Sequence, residues 1–200
     1  EQYASIRVGT IEDIVANKIN LKFKIEETEK FYVEKINIFG NNITRENVIR
    51  NQLEIDEGDP FNEILYNKSV NNIKYLNFFK DTQSEVIDGS KPNSKIVNIT
   101  VEEKATGEIS LGAGAGTAGA TVGFSVKENN FLGKGVGLDS SLTLTEETIR
   151  GKFSVNNPNF RNSDKSIQFN VQAMEMDRTE TFGYKSNKVG MSVGTGFEYY

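Results

Sequence analysis

Hydrophobic and polar positions repeat with two different periods along this chain, and the change falls near residue 107. Beyond it, two-residue alternation dominates, the signature of strands with one apolar and one polar face. Ile109, Leu111, Ala113 and Ala115 alternate with Ser110, Gly112, Gly114 and Gly116, and Val122, Phe124 and Val126 oppose Thr121, Gly123, Ser125 and Lys127. Val136, Leu138, Leu142 and Leu144 oppose Gly137, Asp139, Ser141 and Thr143; Ile149, Phe153 and Val155 oppose Arg150, Lys152 and Ser154. Ile167, Phe169, Val171 and Ala173 oppose Gln168, Asn170 and Gln172, after which Met174 and Met176 switch phase, predicting a bulge. Val189, Met191, Val193 and Phe197 oppose Gly190, Ser192, Gly194 and Gly196. A soluble sandwich can alternate in this way, but six consecutive strands of about ten residues suit a membrane barrel better.

Before residue 107 the pattern is mixed. A strand is predicted over Phe31–Phe39, with Tyr32, Ile36 and Ile38 on one face and Phe31, Val33 and Phe39 on the other. Gly40-Asn41-Asn42 turns the chain, and Thr44 is the expected N-cap of a helix through Leu53 carrying Val48, Ile49 and Leu53. Glu57-Gly58-Asp59-Pro60 ends it, and Asn62 caps a second helix whose buried stripe is Leu65, Tyr66, Val70, Ile73 and Leu76. Strands over Thr82–Ile87 and Ile96–Val101 close a β-α-α-β-β unit in which two helices cover one face of a small sheet. Tyr75, Phe78 and Phe79 read as core and helix-end packing. Residues 1–30 predict two further strands, Tyr3–Ile11 and Ile19–Ile25, which cannot make a core alone. The expected organisation is therefore 1–30, the end of a preceding module; 31–104, an α+β domain; and 105–200, antiparallel barrel strands, with the boundary at Lys104-Ala105-Thr106-Gly107.

Composition sharpens this picture by exclusion. Of 18 glycines, 13 lie beyond residue 107, as expected for a change of domain type. Cysteine and histidine are absent, which removes disulfides, thiolate or imidazole metal sites and any Ser-His-Asp triad. A net charge of −5 is the wrong sign for a nucleic-acid binder that works by phosphate neutralisation. No apolar run reaches the ~20 residues of a membrane-spanning helix, which leaves strands as the route across a bilayer. The chain begins at Glu1 without a signal segment, so a processed product or a piece of a longer protein is expected.

Two motif matches fail on context. Gly114-Ala115-Gly116-Thr117-Ala118-Gly119 fits G-x-G-x-x-G, but a strand follows where a phosphate-binding helix would have to begin. Gly190-Met191-Ser192-Val193-Gly194 fits G-x-S-x-G, but Ser192 falls mid-strand and no histidine exists to take its proton. No catalytic constellation, metal site or cofactor is expected, and the protein is read as a non-enzyme.

The resemblance lies in a set of motifs in order: Phe31-Tyr32-Val33, Phe39-Gly40-Asn41-Asn42, Tyr75-Leu76-Asn77-Phe78-Phe79, Thr106-Gly107-Glu108, Leu111-Gly112-Ala113-Gly114-Ala115-Gly116-Thr117, Asn129-Asn130-Phe131-Leu132-Gly133-Lys134-Gly135 and Asn157-Pro158-Asn159-Phe160. Residues 31–104 resemble a POTRA domain, and the segment after them resembles the opening of the barrel in the BamA family of outer-membrane protein assembly factors. The resemblance implies a protein of the Gram-negative outer membrane with its POTRA part in the periplasm. Its implied partners are the lipid bilayer, unfolded outer-membrane protein clients, a BamD-like lipoprotein and other lipoproteins of the assembly complex. It further implies an acidic partner-binding loop at Asp56, Glu57 and Asp59, with Glu57 the position that meets the lipoprotein. The first barrel strand, Glu108, Ile109, Ser110, Leu111, Gly112, Ala113 and Gly114, would be the gate at which a client strand pairs, and Phe131 and Phe160 would lie in the interfacial aromatic girdle. Related translocation-and-assembly or two-partner secretion transporters share the architecture, and a barrel anchoring a passenger enzyme is a further alternative.

Overall fold

The computed structural model describes residues 6–15, 18–27, 29–116 and 119–197. They form two compact units, one of residues 1–40 with 52–102 and one of residues 41–51 with 103–200.

In the first unit, β1 (Ile6–Val15) and β2 (Lys18–Glu27) pair as an antiparallel hairpin, while Tyr3 lies outside the described residues. A three-stranded sheet follows in the order β3-β5-β4, from β3 (Tyr32–Phe39), β4 (Phe79–Asp88) and β5 (Ser94–Glu103), with β3 and β5 parallel. The expected face of β5 is its buried one: Val97, Ile99 and Val101 are all at most 4% exposed. The expected alternation in β3 fails. Its register shifts between Val33 and Lys35, so Val33 and Ile36 are both buried. That bulge turns out the Glu34 carboxylate, which accepts from the Ser90 hydroxyl, the Ser94 hydroxyl and the Ser90 amide. These bonds, the Ser90 hydroxyl foremost, hold Glu34 down at about 2.

Helix α2 (Glu63–Tyr75) starts as expected, with the Asn62 side chain accepting from the amides of Ile64 and Leu65. It buries Val70, Ile73 and also Ser69, whose hydroxyl donates to Leu65 O and accepts from the Glu54 amide at 2.8 Å each. Phe78 and Phe79 are buried edge to face, but Tyr75 is 82% exposed and takes no part in the core. Gly40 has φ +85°, and a Cβ there would stand 2.0 Å from the Val101 carbonyl oxygen, so only glycine fits.

Helix α1 (Glu46–Arg50) lies in the second unit and is shorter than expected. Its N-cap is Arg45 with no side-chain cap, and Thr44, the expected cap, is buried with its hydroxyl engaged elsewhere. The rest of this unit is a meander of six antiparallel strands: β6 (Gly107–Gly116), β7 (Gly119–Glu128), β8 (Gly137–Thr145), β9 (Thr148–Asn157), β10 (Lys165–Arg178) and β11 (Tyr184–Phe197). A short helix, α3 (Thr179–Phe182), joins the last two.

The register sorts the wall into two chemistries. One face carries cross-strand rows such as Leu111-Phe124-Leu142-Gly151-Ala173-Val189 and Ile109-Val126-Ser140-Phe153-Val171-Met191. The other carries Ser110-Ser125-Ser141-Lys152-Gln172-Gly190 and Glu108-Lys127-Asp139-Ser154-Asn170-Ser192. Pairing of β10 with both neighbours is continuous through Met174 and Met176, so the expected bulge is not there. The methionines stay on the Gln172 face, while Glu175 takes its place on the apolar face. The polarity reverses because the strand runs past the apolar band, not because its phase slips. Among the described residues no helix is long and apolar enough to cross a membrane.

The Asn62 cap is checked by its substitution. Asn62→Ala should cost about 1 kcal/mol in α2, seen as faster hydrogen exchange at the Ile64 and Leu65 amides than at the end of the helix.

Candidate interaction surfaces

Strand β6 closes one side of the six-stranded sheet, and its only neighbour among the described residues is β7. Every residue from Gly107 to Gly116 is exposed, with Ile109 at 74% and Leu111 at 78%. A Cβ on Gly112 or Gly114 would meet no atom of the described residues within 4 Å. Packing among the described residues therefore does not account for these glycines. What they leave is a strand whose outer N–H and C=O groups are open to pairing and whose polar face has little side chain to select a partner. The apolar face beside it continues through Phe124, Val126, Leu142, Phe153 and Phe169, each more than a third exposed. A contiguous apolar surface of this size marks a membrane or protein contact.

The acidic loop has a structural duty besides its charge. The Val33 amide donates to Asp59 O, the Gly58 amide to Val33 O and the Phe61 amide to Phe31 O. The Glu57 carboxylate accepts from the Ile36 amide at 3.0 Å, and the Asp59 carboxylate from the Asp56 amide. The loop thus pairs the outer edge of β3 at its bulge, although Asp56, Glu57 and Asp59 all remain exposed. Besides its charge, Glu57 thus satisfies a β3 amide.

The turns at the β6-start end of the sheet form the third site. Asn130, in the β7–β8 turn, is buried; its amide nitrogen donates to Thr44 Oγ1 at 2.8 Å and its Oδ1 accepts from the Gly135 amide at 2.7 Å. The Arg45 amide donates to Gly133 O, and a Cβ on Gly133 would lie 1.9 Å from Ile43 O. Asn47 donates to Asn162 in the β9–β10 turn. Before α1, the Glu103 carboxylate accepts from the amides of Asn42, Ile43 and Thr44 at 2.6–2.9 Å. Burial opposes the charge on Glu103 and is the largest single influence, yet the hydrogen bonds led by Thr44 together outweigh it and lower its pKa. Phe131 and Phe160 occupy these same two turns; Phe131 is 42% exposed, and Phe160 is half-buried beneath the Arg161 guanidinium. Sequence reasoning placed the turns but missed Thr44, Asn130, Gly133 and Glu103 as one cluster.

The two catalytic-looking motifs are wall. Gly116 and Gly119 pair across a hairpin whose two central residues lie outside the described ones, and β7 follows at once. Ser192 sits within β11, accepting from Asn170 across the strands. Among the described residues no cluster of acidic side chains could hold a metal ion.

The family comparison agrees with this geometry. Residues 31–104 match the POTRA family, described as surface antigen variable number repeat. The outer membrane protein assembly factor BamA of Neisseria meningitidis serogroup B is 25% identical over 197 residues, a match covering 96% of this chain and 25% of that protein. The crystal structure of BamA from Haemophilus ducreyi lacking POTRA domains 1-3 superposes with a TM-score of 0.74 at 20% identity, over 96% of this chain and 37% of that one. CdiB from Acinetobacter baumannii shares the fold with a TM-score of 0.57 at 12% identity, over 90% of this chain and 35% of that one. The fold is thus a POTRA domain followed by an antiparallel sheet with one apolar face, as in an incomplete barrel. Over nearly its whole length the chain is similar to BamA assembly factors, and it spans about a quarter of the length of the curated relatives it matches. Those relatives are named as outer membrane protein assembly factors.

The Glu103 cluster generates a pH prediction. A depressed pKa means that its stabilising contribution is complete above the ordinary carboxylate pKa of 4.5 and is lost as pH falls through the lower folded value. The amide resonances of Ile43 and Thr44 should therefore titrate with a midpoint below 4.5, and Glu103→Gln should abolish that titration.

Proposed function

We propose that this chain is the last POTRA domain and the opening barrel strands of a factor that assembles outer-membrane proteins. The POTRA part works in the periplasm, receiving unfolded clients and accessory lipoproteins of the BamD type. The barrel sits in the outer membrane, and β6 is the gate where a client strand pairs. The observation that carries this reading is the composition of β6, an edge strand among the described residues whose Gly112, Gly114 and Gly116 would each place a Cβ against nothing within 4 Å. Its main-chain groups offer β-augmentation, while its sparse side chains neither lock a seam nor choose a client sequence. The apolar outer face supports immersion in lipid, and Phe131 and Phe160 suit the interfacial girdle at the periplasmic end. No cofactor, metal or nucleotide enters this reading. The fold shared with CdiB favours a second one, in which the same architecture passes a polypeptide across the membrane; failure of client assembly with intact passenger export would select it.

Valine at Gly112 and Gly114 should stiffen β6 and strengthen closure of the full-length barrel. A cysteine pair across the first and last strands should then crosslink more fully, and client insertion should slow. Unchanged crosslinking and unchanged assembly would remove the gate explanation for these glycines.

The acidic loop is read as the lipoprotein contact, with Glu57 facing a basic partner. Because Glu57 also accepts from the Ile36 amide, two variants separate the roles. Glu57→Gln keeps an acceptor and should preserve POTRA stability while weakening lipoprotein co-purification; Glu57→Lys should weaken both, losing about 1 kcal/mol of folding stability. Undiminished co-purification with both variants would defeat the contact.

A further inference from the structure

The polar face of the wall carries a charge imbalance in two adjacent rows. Gly112-Gly123-Thr143-Arg150-Met174-Lys188 and Ser110-Ser125-Ser141-Lys152-Gln172-Gly190 contain three cations and no carboxylate. The next row, Glu108-Lys127-Asp139-Ser154-Asn170-Ser192, is supplied with acids, and the outward Lys185 is held by Glu175 and Asp177. Arg150 and Lys188 flank Met174 on neighbouring strands, and Lys152 lies two residues from Arg150 on the same side. Among the described residues Lys152 and Lys188 form no ion pair, and Arg150 donates to the Met174 thioether at 3.5 Å, a weak acceptor for a guanidinium. Like charges gathered across strands cost pairing stability unless something answers them.

A notch of about 300 Å³ opens beside Lys152, lined also by Asn170, Gln172 and Ser192 together with Val171, Gly190 and Met191. Its amides and hydroxyl can bond a carboxylate or a passing main chain, and its lysine supplies the charge. In a closed barrel this face is the lumen, where the neighbours are polypeptide of the same molecule. The matched BamA structure has nearly two thirds of its length beyond the 37% that this chain covers, so chain to fill the lumen exists in relatives of this architecture.

We propose that Arg150, Lys152 and Lys188 with the Gly190 notch form an anchoring site for an acidic segment of the same polypeptide, held by its carboxylates against the lumen side of β9–β11. The inference needs only that the sheet is a barrel wall, and it is independent of how clients are inserted.

The test is carbodiimide coupling of the full-length protein in outer-membrane vesicles, which joins a carboxylate to a touching amine as an amide with loss of water. Lys185 with Glu175 is the internal control. Mass spectrometry should find Lys152 or Lys188 joined to an Asp or Glu of the same polypeptide outside residues 107–197. Lys152→Glu should lower the coupling of Lys188 by roughly tenfold, because repulsion replaces attraction, and leave the control unchanged. Coupling of the control alone would overturn the site, as would products with another protein or solely with Asp139 or Glu108. An undiminished Lys188 product in Lys152→Glu would overturn it too.

Discussion

In hydrocarbon a backbone N–H or C=O without a partner costs several kcal/mol, so a strand in a membrane wall has to be hydrogen-bonded on both edges. Strands β7 to β10 meet that condition inside this chain, each between two neighbours in continuous register. Strand β6 meets it on one side, through β7. Strand β11 likewise has a single neighbour, β10, among the described residues. A strand with Gly112, Gly114, Ala113 and Ala115 at its middle gives up cross-strand packing, and what remains is the main chain itself.

The same obligation appears in the POTRA domain with a different answer. There β3 is also an edge, but the loop from Asp56 to Phe61 closes it: Val33 donates to Asp59 O and accepts from the Gly58 amide, Phe61 donates to Phe31 O, and Glu57 accepts from the Ile36 amide. The β3 bulge is part of this arrangement: it turns Glu34 toward Ser90 and Ser94 and lets Val33 and Ile36 share the core. The β3 edge is covered by its own chain, whereas β6 has β7 alone beside it among the described residues.

Residues 41–51 group with the strands although they lie within the POTRA match. The buried Asn130–Thr44 bond, the close approach of Gly133 to Ile43 and the Glu103 carboxylate across three amides make the segment before α1 dependent on partners far along the chain. A short helix with no side-chain cap is weak by itself, since helix nucleation is costly, and these contacts supply what its own sequence lacks.

What the sequence determined by itself was everything governed by local period. Two-residue alternation located the six barrel strands and their two faces, Asn62 located the start of α2, and Val97, Ile99 and Val101 marked the core face of β5. Those features depend on neighbours a few residues away, so a linear pattern records them. The β3 bulge, the release of Thr44 from capping, the unbroken β10 and the second role of Glu57 were decided by groups 21 to 86 residues distant in sequence or on adjacent strands. A hydrogen bond or a register spanning such separations leaves no periodic trace, and only the folded chain brings its two ends together.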